Sequence, residues 1–303
     1  FLIWGFYFLT CFYFCVIEPK VKFFEIPWVK FLNNVVIIGT CAFTAYLLLS
    51  NLPWYIPELG DGSSVIPAFY LIVLAAICFA VYSSTDIKYV RFLSIATTWL
   101  FIALIGFMWA DAFLFGDSEL SAFTQNIGLI GNYFANINEF VLPLNDYHEF
   151  YLFWWFAWSI MIGQFTSRFV GGLKTYQVLG AMLIFPSIPI AIWFSVLYHY
   201  HEAGIPTAGI KNFAMVFVGI VFVINSLDSL IRLYTDNLNL TVKRLGKFKY
   251  IAMNVIALSL LTLLFKLEFL QIQWVGALVI GLFFICLGFI AYSKFKTVSN
   301  IEG

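Results

Sequence analysis

The sequence predicts an all-α integral membrane protein, and three observations carry that prediction. Of its 303 residues 62% are hydrophobic, 20% aromatic and only 11% charged, a balance foreign to soluble globular chains. Nine apolar runs, most of them near the roughly 20 residues that cross a hydrocarbon core, are separated by short polar stretches rich in Pro, Gly and Asn. None alternates polar and apolar residues with the period of two of a transmembrane barrel strand, so the runs read as helices. The formal net charge of zero speaks against nucleic acid or an acidic macromolecule and leaves the lipid bilayer as the first partner.

Taken in order, the runs are 1–17, 31–50, 65–83, 91–115, 150–170, 177–199, 210–232, 249–266 and 271–293, in one polytopic membrane domain over 1–303. The first opens on Phe1, aromatic and without the basic start of a signal peptide, so the beginning of the protein is expected to be missing. The second places Thr40 and Thr44 one turn apart, and the fourth carries Asp111 toward one end. Between the fourth and fifth, 119–142 mixes polar and apolar residues and reads as a partly amphipathic helix lying on a membrane face. The sixth run should kink at Pro186 and Pro189, whose freed carbonyls need local partners. The seventh holds Asn225, Ser226 and Asp228.

Basic residues orient the runs. Alternate loops hold Lys20, Lys22 and Lys30; Lys88 and Arg91; Arg168 and Lys174; Arg232 through Lys249; and Lys294 and Lys296. Only Lys211 and Lys266 fall on the other side. The positive-inside rule then expects the first residue outside, the C-terminus cytoplasmic and an odd number of spans in a cell (inner or plasma) membrane. The five cysteines lie in apolar runs without CxxC spacing and read as small buried hydrophobes. His148, His199 and His201 sit in outside loops and would ligate a metal only with further partners, so no metal is expected. With no phosphate loop, nucleophile elbow, haem pair or zinc motif, an enzyme is not expected.

The fifth run is the centre of the functional reading. Trp154, Trp155 and Trp158 stand at i, i+1 and i+4, so on a helix they share one broad face. An indole N–H seeks a partner when buried, which makes a wall of tryptophans an odd filling for an aliphatic core. It suits a quaternary ammonium group, which offers no N–H donor and is drawn to ring faces. Ordinary helix packing or an interfacial tryptophan belt is the competing reading of these three residues.

The same stretch resembles the betaine/choline/carnitine transporter (BCCT) family. Its eighth helix carries WWxxWxPFVGxFxAR followed by WFS, matched here by Trp154, Trp155, Trp158, Gly163, Phe165 and Arg168, then Trp193, Phe194 and Ser195. Similar landmarks are WGFY at Trp4 to Tyr7, SSTDIKYVRFLS at Ser83 to Ser94, IGNYFANI at Ile130 to Ile137 and FVINSLDS at Phe222 to Ser229. They follow the family's order along nearly the whole chain. The resemblance implies that the chain corresponds to helices four to twelve of twelve, with the N-terminal three absent, in a LeuT-like inverted-repeat fold with ligand sites near the midplane.

By that resemblance the chain is a secondary active transporter of a small quaternary-ammonium or similar cationic or zwitterionic osmolyte, of betaine, choline or carnitine type. Trp154, Trp155 and Trp158 match the substrate cage. Trp4 matches a further aromatic of the fourth helix, where the following positions are Leu9 and Phe12, the latter still a ring. No cofactor is implied beyond sodium as coupling ion. Its candidate ligands are Thr40 and Thr44, with Met161 where the family has a ring, and Phe222, Asn225 and Ser226 where it has Thr-Ser. The family's habit implies a homotrimer. The altered cage and ion positions keep a second reading open, a non-transporting membrane subunit of a larger complex descended from the same family.

Overall fold

A computed structural model describes residues 2–116 and 118–299. Every described element is helical, and each of the nine apolar runs falls in a helix. Six helical stretches are long and apolar enough to cross a membrane, the 17-residue Pro67–Ser83 being shorter but equally apolar. The bundle presents large bare rings and aliphatic chains outward, with Trp28 76% and Phe115 87% exposed. Such a surface is stable only under lipid, and the chain is a multi-pass membrane protein.

The first run is α1 (Leu2–Phe12), continued by a wide turn at Tyr13–Ile17 and the short α2 (Glu18–Val21). The long α3 (Pro27–Tyr55) starts on a proline, whose fixed φ and missing N–H suit a first helical position. Next come α4 (Pro67–Ser83) and α5 (Ile87–Phe113), the latter capped by the Asp86 carboxylate, which accepts from Lys88 N at 2.9 Å. Residues 119–142 form α6 (Leu120–Gly128), α7 (Ile130–Ala135) and a single turn at Ile137–Phe140. Phe123 of α6 packs on Trp109 and Phe113 of α5.

The tryptophan helix is α8 (Asp146–Ser167). The sixth run is two helices, α9 (Thr175–Ile184) and α10 (Ser187–Glu202), broken at Phe185 and Pro186. There Ser187 Oγ donates to the Leu183 carbonyl, a local partner of the kind a proline break requires. The bundle ends with α11 (Ile210–Asn237), the short α12 (Val242–Leu245), α13 (Lys247–Lys266), α14 (Ile272–Phe289) and α15 (Phe295–Ser299). The main core gathers α3, α4, α8, α11 and α13 around Ile37, Phe43, Ile77, Met161, Leu227 and Tyr250.

Contacts sort the loops into two ends. At one, Arg232 Nη1 reaches the Ser84 carbonyl at 3.4 Å, Lys247 lies 4.3 Å over the Tyr82 ring, and Arg168 meets Asp236 at 3.7 Å. At the other, Asn212 Nδ2 donates to the Tyr55 carbonyl at 2.8 Å and Lys211 pairs with Asp111 at 2.9 Å. Basic loops that the sequence groups on one side therefore meet at one end.

Candidate functional site

The site is assembled on α8, whose start is fixed by Asn145 accepting from His148 N at 2.8 Å. Two glycines let neighbouring helices approach. A Cβ at Gly163 would lie 2.8 Å from the Thr10 backbone of α1, and one at Gly276 of α14 would lie 2.9 Å from the Phe153 carbonyl oxygen. Small residues at such crossings are how membrane helices gain close packing without a hydrophobic driving force. Polar bonds then lock α1 to α8: Tyr7 Oη donates to the Trp155 carbonyl and Thr10 Oγ1 to the Ser159 carbonyl, each at 2.9 Å.

On this frame Trp154 and Trp158 stand perpendicular, with centroids 6.4 Å apart and planes at 88°. Trp155 lies 5.1 Å from Trp154 and turns toward Tyr7, at 6.3 Å. Trp4 meets the same tyrosine edge-on at 5.4 Å. Trp4, Trp155 and Trp158 pack around one small core of Tyr7, Cys11, Val178 and Met182, while Trp158 also borders the main core with Trp154. Four of the five expected cage residues are thus brought together. Phe12 is not among them: its ring contacts Phe8 at 6.4 Å, and Leu9 turns outward, 58% exposed.

The Nε1 atoms of Trp154 and Trp158 are buried and have no hydrogen-bond partner. Most buried polar atoms are satisfied, and an indole placed only for packing usually finds an acceptor. Two orphan donors on adjacent rings are a feature that helix packing alone does not account for.

The expected ion ligands divide. Thr40 is fully buried and its Oγ1 has no partner, whereas Thr44 Oγ1 donates back to the Thr40 carbonyl at 2.9 Å. Met161 lies in the same core at 1% exposure, its thioether a poor ligand for a hard cation. The Thr pair fits a partial oxygen set. The second group does not: Asn225 Oδ1 accepts from Ser94 of α5 at 2.9 Å, and Phe222 is half-exposed against Phe101 of the same helix. Ser226 is half-buried on α11. Asp228 is fully buried, held by Ser83 Oγ at 2.6 Å and Ser229 Oγ at 3.1 Å.

Several motif residues lie apart from the cage. Trp193 packs on Phe101, Phe194 is exposed, and Ser195 Oγ donates to the Ala191 carbonyl. Asp111 belongs to an ion pair at the end opposite the basic loops, where Tyr200 Oη also donates to it at 2.6 Å. Among the described residues no three His, Cys, Asp or Glu side chains form a metal site, and the cysteines are free. His199 Nε2 instead meets Ser118 Oγ at 2.7 Å. Two residues of the site escaped the sequence reading, Tyr7 and Thr10. Their spacing of three behind and beyond Trp4 on one helical face was the available signal.

No family model matches the chain. Glycine betaine transporter 1 of Vibrio parahaemolyticus is 25% identical over 140 residues, which cover 46% of this chain and 26% of that protein. Uncharacterized transporters of Mycobacterium bovis and Mycobacterium tuberculosis are 28% identical over 86 residues, covering 25% of this chain and 14% of their own length. The chain therefore matches about a quarter of the Vibrio relative's length, 26%, and less of the mycobacterial ones, 14%.

Proposed function

We propose that the chain forms the ligand-holding part of a secondary transporter for small quaternary-ammonium osmolytes of the betaine, choline and carnitine type. The observation that carries this reading is the pair of unpartnered indole donors, Trp154 Nε1 and Trp158 Nε1, on perpendicular buried rings. Ring faces of Trp4, Trp155 and Trp158 attract the methylated cation, and the two N–H groups favour a ligand that also carries a carboxylate. The similarity to a glycine betaine transporter supports the same class. Sodium is the proposed coupling ion. The hydroxyls of Thr40 and Thr44 would hold it, and it would supply charge that the bundle itself does not place near the site.

A LeuT-like inverted-repeat arrangement, a homotrimeric assembly and a plasma-membrane orientation with the basic end cytoplasmic belong to the same proposal. A second reading, a family-derived membrane subunit that binds without transporting, is favoured by Asn225 being engaged by Ser94. Uptake of labelled glycine betaine into liposomes carrying the chain, with and without an inward sodium gradient, separates the two. Sodium-driven uptake lost in Trp158→Ala supports transport. Binding without uptake selects the subunit, and neither signal refutes the ligand reading.

A further inference from the structure

At the basic end of the bundle a cavity of about 580 Å³ lies between the connection from α1 to α3 and the last turns of α8 and α11. None of the cage tryptophans lines it. Its volume is far above the roughly 30 Å³ share of one water and within the range of small-molecule sites.

Its walls carry opposite charges. On the connection side stand Glu18 and Glu25 with the rings of Phe14 and Phe24, whose centroids are 4.9 Å apart. On the other stand Arg168, beside Asn237, and Lys30 from the first turn of α3. Two carboxylates and two cations make the cavity neutral as a whole, yet they do not pair across it. Glu25 reaches Lys22 at 3.9 Å, Arg168 reaches Asp236 at 3.7 Å and Asn237 Oδ1 at 3.3 Å, and Lys30 enters no ion pair among the described residues.

Glu18 is fixed in place. It accepts from Tyr13 Oη at 2.7 Å, Phe24 N at 2.8 Å and Phe23 N at 3.2 Å. Burial raises its carboxyl above the ordinary range while these donors oppose the rise.

The two walls meet at Asn33, only 2% exposed. Its Nδ2 donates to Gln164 Oε1 at 3.3 Å, but its Oδ1 is buried without a partner. An orphan amide oxygen on a cavity wall is destabilising by about 1–3 kcal/mol unless something in the cavity satisfies it.

We infer that this cavity is a second ligand site, for a small zwitterion whose carboxylate meets Arg168 and Lys30 and whose cationic group meets Phe14, Phe24 and Glu18. Guanidinium suits a planar carboxylate, ring faces suit an alkylated ammonium, and the Asn33 oxygen adds an acceptor at the cationic end. The argument rests on the wall charges and not on the tryptophan cage. A betaine and a free amino acid share the required chemistry.

Equilibrium dialysis of the chain in lipid nanodiscs tests it, with labelled glycine betaine and labelled glycine as probes. In Trp158→Ala a saturable class of sites for at least one probe should remain. Arg168→Met, and separately Asn237→Leu, which leaves the Arg168–Asp236 pair in place, should each weaken it at least tenfold. Choline, which lacks the carboxylate, and propionate, which lacks the cation, should compete at least tenfold less well than the probe. Failure of the class to appear, insensitivity to both substitutions, or equal competition by choline or by propionate overturns the inference. Loss of the Trp158-dependent class alone would refute the cage and leave this site standing.

Discussion

Gly163→Ala tests the contact on which the site is built. The added Cβ would lie 2.8 Å from the carbonyl carbon, Cβ and Oγ1 of Thr10. Carbon atoms rest about 3.5 Å or more apart, so α1 must withdraw by about 0.7 Å. That stretches the Thr10 to Ser159 and Tyr7 to Trp155 bonds from 2.9 Å to about 3.6 Å, beyond hydrogen-bond range. Overpacking is destabilising by about 1–3 kcal/mol, and each lost interhelical bond by about 0.6 kcal/mol in a membrane bundle. The better helix propensity of alanine returns about 1 kcal/mol. The net loss is about 1–3 kcal/mol, or roughly 2–12 °C in midpoint on the scaling for soluble chains of comparable size. Thermal denaturation in detergent, followed by a maleimide dye reaching the buried Cys11, Cys41 and Cys286, reads it directly. Gly180→Ala, whose added Cβ meets nothing within 4 Å, is the control and should melt no lower than wild type. A Gly163→Ala protein that melts with the control refutes the close crossing of α1 and α8.

Three further outcomes are expected. Trp4→Ala should weaken glycine betaine binding at least tenfold while Phe12→Ala changes it less than twofold, because only Trp4 shares the small core with Trp155 and Trp158; titration calorimetry distinguishes them. Thr40→Val should leave the melting midpoint unchanged or slightly raised, since it deletes a buried hydroxyl without a partner, and should abolish any sodium dependence of binding. Asp111→Asn weakens the pair with Lys211 at 2.9 Å, which is partly solvent-exposed, so a loss of about 0.5–1 kcal/mol is expected, and the difference from wild type should shrink in high salt.

The helices were legible because their signals are local. Apolar length marked all nine runs, Pro186 marked the break between α9 and α10, and the basic residues marked loops that do meet at one end. The cage was legible only to the extent that one helix spells it. Trp154, Trp155 and Trp158 are placed by a 100° turn per residue, and the rings do gather. What failed to show was anything decided by a neighbouring helix. Phe12 and Trp4 are equally aromatic in sequence, yet α1 rotates one toward α8 and the other toward Phe8. Asn225 has the same oxygen whether it faces a cation or Ser94, and the packing of α5 on α11 decides which. Tyr7 reads as one more apolar ring until its hydroxyl finds the Trp155 carbonyl.

The two glycine crossings also constrain how the bundle could move. With Gly163 seated on Thr10 and Gly276 on Phe153, α8 has no clearance toward α1 or α14, and any sliding there meets backbone atoms. Its contacts with α3 and α11 are looser. Mechanically, α1, α8 and α14 are one block that carries three walls of the cage, and α3 with α11 is the part free to swing. Opening toward Trp154 and Trp158 is therefore a hinge displacement of the α3 and α11 side, with the tryptophans stationary as it passes.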